Sequence, residues 1–234
     1  MYRSRLAFAL ATAAMAAILT PSTLTAQGAF KRTYGGVHKD IGYSVQQTAD
    51  GGYVIAGNSM SFGAGSEDVY IIKTDAAGNA QWTRAYGGPS YDGGRSVQQT
   101  TDEGYIVVGY TASFGSGSLD VYLIKTDANG DTIWTRTYGG PGEDDGSSVR
   151  QTADGGYLIA GTTASSGAGD YDVYLIRTNA NGDTLWTRTI GGASTDAASA
   201  IQATSDSGYI VVGFSNSFGA LDYDVYLILS LIHI

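Results

Sequence analysis

Apolar residues in this chain fall in short runs bounded by turn residues, the pattern of β-strands. Residues 96–139 show one full set. "SVQQT" (96–100) and "GYIVVGYT" (104–111) read as the first two strands, joined by a short turn. "DVYLIKT" (120–126) is the third, a near-continuous apolar run suited to burial on both faces. "DTIWTRTYG" (131–139) is the fourth. Asn129-Gly130 between the last two predicts a type I′ hairpin, because that turn needs positive φ at both central positions.

The set recurs. "GYVIAG", "GYIVVG", "GYLIAG" and "GYIVVG" begin at 52, 104, 156 and 208, and "DVYIIKTD", "DVYLIKTD", "DVYLIRTN" and "DVYLI" at 68, 120, 172 and 224. Every interval is 52 residues. Tandem four-stranded units of this size predict an all-β protein, a β-propeller of antiparallel blades, since one blade cannot bury both faces alone. A β-solenoid has much shorter coils. The units run at about 37–88, 89–140, 141–192 and 193–228 (the last incomplete) within a repeat domain spanning 27–228, and a larger propeller stays open.

Trp82, Trp134 and Trp186 keep the interval, as do Arg84, Arg136 and Arg188. In "WTRTY" the Trp, Arg and Tyr alternate and share one strand face, where the cation can stack on its aromatic neighbours. This set, with Trp and Arg in all three complete copies and Ile190 replacing the Tyr in the third, is expected to be scaffold. Phe30 takes the Trp position in the partial copy "FKRTYGG" (30–36), a fourth strand without its first three. Residues 30–36 are therefore expected to complete the last blade and close a monomeric ring. The hexapeptide "LSLIHI" (229–234) breaks the repeat. It is what CTG TCT CTT ATA CAC ATC encodes, a transposase-adapter sequence from DNA library preparation, and is expected to be foreign to the protein.

Residues 1–26 have the three parts of a secretory signal peptide: Arg3 and Arg5, the apolar run "LAFALATAAMAAIL", and small residues with cleavage expected after Ala26. The run falls short of the about 20 residues of a membrane span. The expectation is a secreted or cell-surface protein without membrane insertion once the leader is removed. With 22 acidic against 13 basic residues, an exported chain of this charge makes a poor nucleic-acid binder. It has no cysteine, so disulfides, thiolate chemistry and a cysteine-linked lipid anchor are excluded.

"SVQQTADGGYVIAG" and "DVYLIKTDANGDTIWTRTYGG", with the Ser-Phe-Gly-x-Gly loop, resemble propeller-like repeats of secreted and cell-surface bacterial and archaeal proteins, many of unknown function. The resemblance covers residues 30–228. It implies export and surface attachment or recognition, and it transfers no catalytic residues. In some bacteria such proteins end in a type IX secretion sorting domain, a motif these residues do not contain. "TDANGDTIW" (126–134) partly resembles the Asp-box of sialidase-like propellers, which is itself structural.

Histidine catalysis has little support: His38 has Ser90, Gly142 and Ser194 as its equivalents. Asp127, Asn129 and Asp131 offer oxygens at a spacing suited to calcium, the one cofactor candidate, although Tyr138 replaces the Glu of an EF-hand and a plain turn explains the same residues. The long connections share one face of the disc, the expected place for binding. The copies differ most there, which makes Tyr91 and Glu143 candidates. Asp40, Asp92, Asp144 and Asp196 follow the variable triplets. They either ring the channel mouth for a cation or polar ligand, or accept hydrogen bonds within their own turns. The leading expectation is a non-catalytic recognition scaffold for a cell-surface glycan or protein. The alternatives are a glycoside hydrolase or lyase using Glu143 and Asp144, and a structural spacer in a longer surface protein.

Overall fold

The computed structural model describes residues 29–204, 208–219 and 222–230; the expected leader and residues 231–234 lie outside them. Each repeat forms one antiparallel sheet whose strands pair in chain order. The first holds β1 (Asp40–Gln47), β2 (Tyr53–Ser59), β3 (Asp68–Thr74) and β4 (Ala80–Tyr86). The second holds β5 (Asp92–Gln99), β6 (Tyr105–Thr111), β7 (Asp120–Thr126) and β8 (Thr132–Tyr138), and the third β9 (Asp144–Gln151), β10 (Tyr157–Thr163), β11 (Asp172–Thr178) and β12 (Thr184–Ile190). The fourth has β13 (Asp196–Ala203), β14 (Tyr209–Ser215) and β15 (Asp224–Ser230). Leu229 and Ser230 continue the β14–β15 ladder, opposite Ile210 and Tyr209.

Period-two alternation decides what packs where. In the first junction Val54, Ala56, Val69 and Ile71 of one sheet meet Val97, Tyr105, Val107, Tyr122 and Ile124 of the next. The second and third junctions repeat this with Leu123 against Ile159 and with Leu175 against Val211. Burial of each such side chain contributes about 1.5–3 kcal/mol. β7 is buried along its whole length, as its apolar run predicts. Trp82 meets the Tyr105 ring edge-on at 5.6 Å, and Trp134 meets Tyr157 likewise at 5.8 Å. Arg84, Arg136 and Arg188 lie over Trp82, Trp134 and Trp186, and Tyr86 and Tyr138 donate to the carbonyls of Gly130 and Gly182 in the following sheet. The fourth strand thus fastens each sheet to its successor.

Three local details differ from expectation. The first strand of the second unit starts at Asp92, four residues earlier than the apolar pattern marks, because a β-bulge carries the glycine-rich "DGGR" inside the ladder. The Asn129-Gly130 turn is not type I′. Gly130 N–H closes it onto the Asp127 carbonyl, and only Gly130 has positive φ (80°). The five-residue connection spares Asn129 the left-handed region.

The third difference concerns closure. β1, β5, β9 and β13 lie side by side as the inner strands, but no comparable contact joins β13 back to β1. Residues 30–36 form no strand and do not add to β15. They rest instead on the first sheet, with Phe30 at 5.9 Å from Tyr53 and Tyr34 donating to the Gly78 carbonyl. Those contacts are the counterparts of Trp82 on Tyr105 and Tyr86 on Gly130. The segment takes the place of a fourth strand belonging to a sheet before β1, and the four sheets form an open arc.

Candidate functional site

The inner strands each squeeze one residue out of the ladder: Tyr43, Arg95, Ser147 and Ser199. A β-bulge re-aims the side chain it carries. Opposite each bulge sits a glycine, Gly57, Gly109, Gly161 or Gly213, where an added Cβ would fall 1.8–2.0 Å from a bulge-strand carbonyl oxygen. The bulge therefore depends on the last glycine of each "GYxxxG" motif.

At the first two bulges the repeat breaks down, and its replacements meet. The Arg95 guanidinium lies 4.7 Å from the Tyr43 ring and 5.0 Å from the Tyr110 ring, with Nε 3.7 Å from Asp145 Oδ2. Tyr110 donates to Glu67 at 3.3 Å, and Asn58 Nδ2 donates to Glu67 at 3.1 Å. Burial pushes the Tyr110 hydroxyl up to about 12, with Glu67 adding to it, so Tyr110 stays a donor. Burial likewise pushes Asp145 up to about 6, against the opposing pull of Arg95. Its Oδ1 is buried without a hydrogen-bond partner.

A carboxyl held above its ordinary 3.8 binds its proton more tightly in the folded state. Its contribution to stability is therefore greatest in acid and declines as pH rises through about 4 to 6. Carbon-detected NMR is expected to show Asp145 titrating near pH 6, and Asp145→Asn should flatten that part of the stability–pH curve. A midpoint below about 4.5 would count against this environment. The cluster draws Tyr43, Asn58 and Glu67 from the first unit, Arg95 and Tyr110 from the second and Asp145 from the third, and so joins the first three sheets.

Three of the four aspartates that could ring a channel mouth do not face solvent. Asp92, Asp144 and Asp196 are fully buried. Each accepts the N–H of the glycine four residues before it (Gly88, Gly140 or Gly192, 2.8–2.9 Å) and a serine hydroxyl (Ser113, Ser165 or Ser217, 2.6 Å). Asp40, less covered, accepts from Gly36, Ser59 and Ser61. Of the two readings open in the sequence, the turn-forming one describes these contacts. Asp144 is thereby withdrawn from any acid–base pair with Glu143, which instead accepts from Tyr171 at 2.7 Å. Tyr91 is exposed and bridges to Glu67, whereas Glu143 bridges to Leu119 at the next junction, so the two do not share a site.

The calcium candidates are occupied by their own turn. Asp127 Oδ1 accepts the N–H groups of Asn129 and Asp131 at 2.9 and 2.8 Å, and Asp131 also meets Arg84 at 3.4 Å. Among the described residues no group of three or more His, Cys, Asp or Glu is placed to hold a metal.

A second kind of concavity lies on the other face, among the short hairpin turns. A cleft of about 500 Å³ opens between the first and second sheets, with Gln81, Trp82, Gln99, Glu103, Tyr105 and Asn129 in its wall. Its floor carries Lys73, buried and paired with Asp50 at 2.7 Å. A smaller cleft of about 340 Å³ repeats the arrangement between the third and fourth sheets, with Arg177 on Asp154. Glu103 is the sole non-glycine among the described residues with positive φ (66°), at a position where Gly51 and Gly155 stand in other copies. A strained residue in a cleft wall is a pointer to function. That departure from Gly at 103 was the signal available in the sequence.

No family model matches the chain. The regulatory protein FlaEY of Caulobacter vibrioides is 28% identical over 162 residues, which are 58% of this chain but 17% of that protein. Among solved structures, a Bifidobacterium bifidum protein assigned as an exo-β-1,3-galactanase superposes with TM-score 0.50 at 16% identity, covering 82% of this chain and 68% of that one. A Bacteroides caccae protein of unknown function gives TM-score 0.46 at 10% identity, over 76% of this chain and 55% of that one. At 16% identity the likeness to the Bifidobacterium bifidum protein describes the fold, which is all-β and propeller-like.

Proposed function

We propose that this protein is an exported, non-catalytic recognition scaffold that binds a cell-surface carbohydrate in the cleft between its first two sheets. The observation that supports this reading is the wall of that cleft. The half-buried Trp82 ring, backed by the buried Tyr105, stands beside the amides of Gln81, Gln99 and Asn129 and the Glu103 carboxylate. Sugars present apolar C–H faces to rings and hydroxyls to amides and carboxylates, so this mixture suits them. Glu103, the one described non-glycine residue in the left-handed region, lines this cleft, which supports the first junction as the binding place.

Glu103→Gly tests the reading. Releasing the left-handed strain is expected to stabilise the fold by about 0.5–1 kcal/mol. The same change should weaken glycan binding about tenfold, in line with loss of one good polar contact. A glycan array with the full chain, followed by titration calorimetry on the best hit, reads the second effect. Absence of any glycan bound, or unchanged affinity in the stabilised variant, would remove carbohydrate recognition at this cleft.

A further inference from the structure

The three junctions between consecutive sheets repeat one arrangement, and the two ends of the arc present its two halves uncovered. On the leading face Val97, Val149 and Ile201 are at most 4% exposed, while Val45, their counterpart in β1, is 66% exposed. On the trailing face Val69, Val121 and Val173 are at most 1% exposed, against 83% for Val225. Ile71, Leu123 and Leu175 are at most 3% exposed, against 61% for Leu227. The end faces are thus the same surfaces that elsewhere meet each other.

Polar contacts match as well. Gln46 Oε1 accepts the Gln99 N–H at 2.6 Å across the first junction, and Gln98 Oε1 accepts the Gln151 N–H at 2.7 Å across the second. The third junction has Arg150 at this position, yet Gln202 restores the acceptor on the last sheet and Gln47 supplies the matching N–H on the first. Among the described residues no strand lies beside the outer edge of β15, an invitation to strand addition. Residues 30–34 already sit where a strand preceding the first sheet belongs.

We propose that a second copy of this chain covers both end faces. The Val225–Leu227 face of one copy packs on Val45 of the other, and residues 30–34 of that other copy become the fourth strand beside β15. The register follows from Val69 opposite Tyr86 and Ile71 opposite Arg84, which places Val225 opposite Tyr34 and Leu227 opposite Arg32. The contact is head-to-tail and can close. Two copies give eight sheets, within the range of about four to eight blades of closed propellers, whereas three copies exceed it.

The absence of native cysteine makes the test direct. Full chains carrying Arg32→Cys and Leu227→Cys separately are mixed and oxidised. A covalent dimer is expected at least tenfold faster from the mixture than from either alone. Sedimentation velocity is expected to show a monomer–dimer equilibrium, and Val225→Asp, which alters a residue exposed in the single chain, should weaken it at least tenfold with an unchanged circular dichroism spectrum. A monomer at every concentration with no preferential cross-linking overturns the proposal. So does a disulfide formed within single chains of the Arg32→Cys, Leu227→Cys double variant and not between mixed ones, which would mean that the arc closes on itself.

Discussion

Gly109→Ala is expected to destabilise the protein by about 3 kcal/mol or more, a far larger loss than one added methyl normally causes. The new Cβ would lie 1.8 Å from the Gly93 carbonyl oxygen, 2.8 Å from its carbon and 3.0 Å from Gly94 Cα. All three are backbone atoms, so no side chain can swing away to relieve the overlap. β5 would have to move off β6, losing ladder hydrogen bonds next to the bulge and shifting Arg95 from between Tyr43 and Tyr110. Backbone conformation is not the issue at this glycine; space is. Gly51→Ala supplies the contrast, because nothing lies within 4 Å of its added Cβ and only the positive φ of 82° resists. That variant should lose about 1 kcal/mol. Urea unfolding of both variants measures the difference. A Gly109→Ala loss under about 1 kcal/mol would show that the bulge yields readily and does not fix the inner strands.

Asp92→Ala is expected to cost about 3 kcal/mol, lowering the melting temperature by roughly 6–10 °C in a chain of this size. Its carboxylate holds the buried Gly88 N–H at 2.8 Å and the Ser113 hydroxyl at 2.6 Å, and truncation leaves the Gly88 N–H and the Ser113 hydroxyl proton without their acceptor. Asp68 opposes part of the effect. Burial raises its pKa and the neighbouring Asp92 raises it further, so removing Asp92 relieves Asp68. An added Cβ on Gly87 would sit 2.1 Å from Asp68 Oδ1 and 2.6 Å from Asp92 Oδ2, which shows how tightly the two carboxylates face across that turn. Asp92→Asn keeps an acceptor oxygen and should cost about 1 kcal/mol. Differential scanning calorimetry on both variants separates a turn-holding aspartate from a ligand-binding one. An Asp92→Ala protein melting within about 2 °C of the parent would point back to a ligand role.

The repeat architecture was legible along the chain because its causes are local. Alternation of apolar and polar residues defines the strands, turn residues join them, and the 52-residue period stacks copies with matching faces. The Trp-Arg-Tyr trio could be read as scaffold for the same reason: a residue present in every copy meets its equivalents at successive junctions and cannot converge on one pocket. The buried β7 followed from an apolar run too continuous for a half-exposed strand.

What the chain did not show are contacts between residues far apart in sequence. Arg95 meets Tyr43 from the preceding unit and Asp145 from the next. "DGGR" reads as a loop until the Gly109 backbone is seen to leave room for a bulge opposite it. Asp92 and Asp144 look like polar loop residues, but serines on the neighbouring strand's exit and glycines before the turn enclose them. The cleft beside Glu103 is walled by residues of two different sheets. The open ends depend on the angle between successive sheets, which alternation cannot encode: it determines which face of β1 is apolar, while only the stacked arrangement decides that Val45 stays uncovered when Val97, Val149 and Ile201 do not.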